Sequence, residues 1–224
     1  MARCSIITKI IITKIFPPVV LVAVTDTDYR FMYNDIGRYG RDCGSTIFKR
    51  STLWTSIQTN MLELPSERPL TGTEDPNVPH FFAGDEGFAL NRNLLWSFGG
   101  SNLSVKKRVY NYRLCRTRRY VECAFGILSN KWRIFQRQLN VSPDFEVVIV
   151  KVSVVLHNFV YDRGGCNFED ALTVTGLEDV PDGQSVRGGW TANNIKNKVA
   201  GCCLTDAGAA SLQMSKIWTA EYIK

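Results

Sequence analysis

Val19-Val20-Leu21-Val22-Ala23-Val24-Thr25, then Asp26-Thr27-Asp28, then Tyr29-Arg30-Phe31-Met32-Tyr33-Asn34-Asp35-Ile36, is the stretch from which the fold can be read. Its first seven residues are apolar and mostly β-branched, a composition that suits a pleated, buried strand. The three short polar residues that follow favour a turn, because Asp side chains hydrogen-bond to backbone N–H groups just ahead. The third part resumes a strand-like pattern, so the whole reads as a β-hairpin.

Toward the C-terminus, Ser45 to Leu64 carries Ile47, Leu53, Trp54, Ile57 and Met61 at roughly helical spacing, which predicts a helix over at least its second half. Pro65 to Pro79 holds four prolines and Gly72 and reads as a loop. His80-Phe81-Phe82-Ala83 is a short apolar run that meets Gly84 and the acids Asp85-Glu86, the pattern of a buried strand delivering a carboxylate to a sheet edge. Ser104 can cap a long helix with Val109, Tyr112, Leu114, Val121, Ala124, Phe125 and Leu128 at its apolar positions. Val147 to Tyr161 is apolar on nearly every side, and its length favours a buried helix over a strand.

The chain has 224 residues, enough for one ordinary domain and a tail. Hydrophobic residues make up 45% and charged residues 21%, which excludes disordered and collagen-like classes. Net charge is +6, and it is concentrated: Lys106 to Arg137 holds ten basic residues against a single acid, Glu122. Such a run suits a polyanionic partner and equally suits a solvated helix face. Seven cysteines without a C-x-x-C pair, beside only two histidines, point to free thiols in a reducing compartment. Met1 to Val24 is apolar, but Lys9, Lys14 and Pro17-Pro18 interrupt it before it reaches the ~20 residues of a spanning helix, so no membrane association is expected. From Asp162 to Gly183 six acids, one base and four glycines read as an acidic linker, and the remainder as a weakly anchored tail.

Two acids stand out by context. Asp85 closes a short apolar run, and Glu122 sits alone among cations with Arg118 and Arg119 four and three residues before it, on one helical face. A metal ion held there would present a bound phosphate to those guanidiniums. The bland alternatives are a turn aspartate and an intrahelical ion pair. His157, inside the apolar helix, suits packing more than ligation. Tyr110, Tyr112, Trp132 and Phe135 could stack on unpaired bases, or simply be buried.

From about Ile15 to Gly165 the chain resembles the Harbinger transposase-derived nucleases. The resemblance rests on ordered blocks: Val19 to Tyr33, Gly84-Asp85-Glu86-Gly87-Phe88-Ala89-Leu90, Asn102 to Arg108, Tyr110 to Leu114, Arg118 to Leu128, Lys131 to Phe135 and Leu156-His157-Asn158-Phe159. It implies an α/β, RNase H-like fold, a mixed sheet flanked by helices, over residues 15–163, with 164–224 as linker and tail. It further implies metal-dependent cleavage of DNA phosphodiester bonds using two divalent cations, Mg²⁺ or Mn²⁺. The family's aspartate and glutamate fall on Asp85 and Glu122 as catalytic and metal-binding residues. Lys106, Lys107, Arg108, Arg116, Arg118 and Arg119 become the candidate DNA contacts. The family's first acid belongs on an opening strand ahead of Val19, where Met1 to Pro18 supplies none, and a further acid falls on Gly44, two residues after Asp42. The expectation is thus an N-terminally truncated copy, its opening strand missing or replaced, and impaired in cleavage; the alternative is a non-catalytic DNA- or protein-binding module. A nuclear location, with the cytoplasm as a second, and a separate DNA-binding partner protein also follow from the resemblance.

Overall fold

A continuous apolar run such as Val19–Thr25 is stable as a strand where both of its faces are covered. The computed structural model of the chain buries all seven of its residues. The structure describes residues 7–16, 19–39, 44–70, 77–85, 87–137, 139–164, 189–210 and 213–219. In chain order the elements are β1 (Ile7–Phe16), β2 (Val19–Thr25), β3 (Phe31–Tyr39), α1 (Gly44–Lys49), α2 (Thr52–Gln58), β4 (Phe81–Ala83), β5 (Leu94–Leu95), α3 (Val105–Lys131), a short 3-10 turn (Arg133–Gln136), α4 (Pro143–Gly164), α5 (Trp190–Cys202) and α6 (Gln213–Thr219). They fall into two units, one of Met1–Thr8, Glu63–Thr117 and Thr173–Lys224, the other of Lys9–Leu62 and Arg118–Leu172. The helix α3 contributes its first half to the former and its second half to the latter.

In the second of these units β2 is the middle strand of three. It pairs antiparallel with β1, from Ile10 opposite Thr25 to Phe16 opposite Val19. On its other edge it pairs antiparallel with β3, with register shifts between Val20 and Leu21 and between Val24 and Thr25. The hairpin turn is closed by Asp26, whose Oδ1 accepts from the N–H groups of Asp28 at 2.8 Å and Arg30 at 2.9 Å, while Tyr29 takes a left-handed φ of 58°. This matches the hairpin reading. A strand, β1, precedes the hairpin, and its residues ITKIIITKIF include no acid. Lysines at positions 9 and 14 disguise it in the sequence as an interrupted apolar leader.

The predicted helix over 45–64 is two short ones. Ser51 separates them: its hydroxyl donates to the Phe48 carbonyl at 2.7 Å and accepts from the Trp54 N–H at 3.2 Å, ending α1 and capping α2. Ile47, Phe48, Leu53, Trp54 and Ile57 are buried, whereas Met61 is exposed, contrary to its place in the periodic pattern. The reason is a helix stop at Asn60, with φ 56°, across which the Met61 N–H reaches back to the Ser56 carbonyl at 3.0 Å. Both α1 and α4 pack against β2, and α4 also against β3.

In the other unit β4 and β5 form a parallel pair, Phe82 opposite Leu94 and Ala83 opposite Leu95. Around it Leu70, Val78, Phe88, Trp96, Val109, Tyr110 and Leu114 are buried. The loop expected over 65–79 is irregular where described, closed by a single antiparallel bridge between Arg68 and Val78. One long helix over the basic segment and another over Val147–Tyr161 are present as α3 and α4.

The described part of the tail departs from the weak anchoring expected of it. Ala192, Ile195, Lys196, Val199, Ala200 and Cys202 of α5 are buried, and the Gln213 side chain donates to the Cys203 carbonyl at 2.8 Å. No described helix is long and apolar enough to cross a membrane.

Candidate nucleic-acid interface and acidic site

Asp85 is positioned by a glycine. The Gly84 N–H donates to the Leu95 carbonyl at 2.8 Å, carrying the β4–β5 pairing one residue past the strand. A Cβ on Gly84 would lie 2.9 Å from Leu94 Cδ1 and 3.1 Å from Phe88 Cδ2. Only a residue without one lets the chain approach β5 so closely. Asp85 follows half-buried, its carbonyl accepting from the Phe88 N–H at 3.0 Å.

Glu122 lies in the second half of α3, exposed, with the Arg118 guanidinium 3.8 Å away. The i, i+4 spacing puts both on one helix face. Because the carboxylate is exposed, this pair contributes only a few tenths of a kcal/mol to stability. Asp85 belongs to the first unit and Glu122 to the second. Gly44 opens α1, whereas Asp42 and Glu86 lie outside the described residues.

The basic segment is not a uniform solvated face. Arg108 donates to the Ile217 carbonyl at 2.8 Å. Arg113 donates to the Gly208 carbonyl at 2.8 Å and reaches Gln213 Oε1 at 3.3 Å. Those two arginines tie the C-terminal segment to α3. The Lys107 ammonium lies 5.3 Å from the Phe98 ring centre, and the Lys106 Nζ runs beside Gly201. Arg116 is exposed above the Tyr112 ring, while Arg118 and Arg119 are half-buried. Tyr110 and Tyr112 are buried in the core of their unit and so are not stacking platforms; Trp132 and Phe135 are half-buried.

His157 has a structural task. Its Nε2 donates to the Tyr29 carbonyl at 2.9 Å, and its ring meets Phe31 edge-on at 5.0 Å. Burial holds the imidazole below its ordinary range; the bond to Tyr29 opposes that shift and the charge of Lys131 adds to it. The next residue does more than the sequence reading recognised. Asn158 accepts from the Phe31 N–H and donates to the Phe31 carbonyl, both at 2.9 Å, so its amide stands in for a neighbouring strand. Asn111 of α3 does the same for Phe98, at 2.7 and 2.8 Å. An asparagine inside a helix forgoes helix propensity, which is the signal that could have found both.

Lys196 was also missed. It is buried, donates to the Ser97 carbonyl at 2.9 Å, and lies 4.1 Å from the ring centres of both Trp96 and Phe98. Burial, with a smaller contribution from Lys107, pulls its ammonium down to about 7.

Among the described residues no three His, Cys, Asp or Glu side chains are grouped closely enough to hold a metal ion. Comparison with curated proteins and with solved structures yields no match. A family model described as DDE superfamily endonuclease matches residues 18–158, from the start of the hairpin through the His157-Asn158 clamp. That span takes in Asp85, Glu122 and all of α3, and on it the chain belongs to the DDE superfamily endonucleases.

Proposed function

We propose that this chain is a transposase-derived DDE domain of the Harbinger kind that engages DNA phosphates through α3 and is impaired in hydrolysing them. The observation that carries the proposal is β1: the strand paired with the N-terminal edge of the hairpin is built without a carboxylate. In two-metal phosphodiester hydrolysis a bridging acid keeps the cations ~3.5–4 Å apart, so that attacking and leaving oxygens are stabilised together. Without that ligand, and with Gly44 where the family has a further acid, Asp85 and Glu122 are the family acids that remain. Divalent-metal dependence belongs to the parent activity. A nuclear location and reliance on a separate DNA-binding protein for sequence choice form part of the same reading.

Binding is expected to survive because it needs charge, not a metal centre. Among the candidates Arg116 is exposed and Arg118 and Arg119 are half-buried beside it on α3, whereas Arg108 is turned to the Ile217 carbonyl. Replacing Arg118 and Arg119 by Gln should reduce the salt slope of duplex binding by about two units, since each lost phosphate contact releases fewer counterions. Fluorescence anisotropy across a salt series reads this directly. A second reading, a non-catalytic module whose partner is a protein, draws support from the internal use of Arg108 and Arg113. A slope unchanged by the double replacement would favour it.

A further inference from the structure

The helix α4 has two apolar faces. One carries Val150, Val154 and His157, all at most 2% exposed, and with Asn158 it is locked to the hairpin. The other carries Phe145, Val148, Val152, Val155, Leu156 and Phe159, between 37% and 66% exposed. At 3.6 residues per turn these six project within an arc of about 100°, opposite the buried face. No charged side chain falls within the stripe between Phe145 and Phe159; Asp144, Lys151 and Asp162 run along one margin, and Arg163 closes the C-terminal end with its guanidinium 4.5 Å from the Phe159 ring centre.

We propose that a second copy of this chain docks antiparallel on this stripe. The spacing about Val152 is self-complementary: Phe145 and Phe159 lie seven residues to either side, and Val148 and Leu156 four residues to either side. Two antiparallel copies therefore set each phenylalanine end against a phenylalanine end and Val148 against Leu156, with the two Val152 residues on the two-fold axis. This is the isologous contact that a closed dimer requires. The stripe exposes on the order of 500 Å² of apolar surface per copy, so two copies together reach roughly the 1,000 Å² at which specific interfaces begin. A patch of that extent on a lone chain would otherwise stand open to water. The antiparallel register also brings Lys151 near its own copy, whereas Asp162 is neutralised by Arg30 at 2.7 Å. The two lysines repel, so added salt should not weaken the dimer. DNA binding is weakened by salt, which separates the two associations.

Sedimentation equilibrium of the full chain over ~1–100 µM should show a monomer–dimer equilibrium. Val152→Lys should weaken it at least about a hundredfold, because two ammonium groups would then face each other on the axis. Val152 is half-exposed, so the circular dichroism spectrum and unfolding midpoint of the variant should match the wild type. Mild oxidation of Val152→Cys should give a disulfide-linked dimer in excess of any wild-type background, and Phe145→Cys should not. A chain that stays monomeric throughout, or associates only with another macromolecule, overturns the proposal. So does a dimer that Val152→Lys leaves intact. Cross-linking of both cysteine variants would mean a parallel pairing and overturn the register.

Discussion

Replacing Asn158 tests how the hairpin is held. Its amide satisfies both backbone groups of Phe31, a residue 4% exposed at the start of β3. Asn158→Ala leaves an N–H and a C=O without these partners. Each net hydrogen bond contributes about 0.5–1.5 kcal/mol, and a buried group left unpaired costs about 1–3 kcal/mol. Asn158 is half-buried and water can reach part of the site, so the expected loss is roughly 2–4 kcal/mol. Urea unfolding of the full chain followed by circular dichroism reads it as a lower midpoint at unchanged slope. Asn158→Asp supplies the sign. At neutral pH its carboxylate accepts from the Phe31 N–H but opposes the Phe31 carbonyl; protonated, it can donate to that carbonyl as the amide does. Its folded-state pKa is therefore raised above the unfolded value of about 3.9. The stability it regains is fully present below that value and is lost as pH rises through the folded-state pKa. Measured against the wild type at each pH, the deficit of Asn158→Asp should shrink toward acid. A loss below ~0.5 kcal/mol for Asn158→Ala, or an Asn158→Asp deficit that ignores pH, would refute the clamp.

Lys196→Met should flatten the pH dependence of stability above neutrality. With the folded-state pKa near 7 and the unfolded one near 10.4, the unfolded chain binds more protons between them. Wild-type stability should thus rise with pH across that window by about 2–4 kcal/mol relative to the variant, and parallel curves would contradict it. Gly208→Ala should destabilise by more than about 2 kcal/mol, since a Cβ there would fall 2.0 Å from the Cys202 carbonyl oxygen; an unchanged melting midpoint would show that the turn after α5 yields easily.

What could be read in the sequence is what local chemistry dictates. The β-branched run at Val19–Thr25 with its Asp26 turn, the long basic helix and the apolar helix toward Tyr161 each carry their own periodicity and stop signals. The elements that escaped are joined by contacts distant in the chain. Asn158 and Phe31 are 127 residues apart, so nothing near either announces the clamp. The tail reads in the sequence as weakly anchored because a lysine occupies one of its apolar positions. Lys196 sits between Ile195 and Val199 on the buried face of α5, and only the rings of Trp96 and Phe98 with the Ser97 carbonyl make that tolerable. Of the candidate site, the placement of Asp85 just past β4 and of Glu122 beside Arg118 followed from spacing. The inward turn of Arg108 and Arg113 did not, because charge alone does not say which arginines a fold spends on itself.

The most direct test of the central claim is cleavage of supercoiled plasmid by the purified chain with Mg²⁺ or Mn²⁺. The account predicts no nicking above the level of a matched Asp85→Asn preparation, because β1 supplies no bridging acid. Nicking by the wild type that Asp85→Asn abolishes would contradict it and establish the chain as a working nuclease.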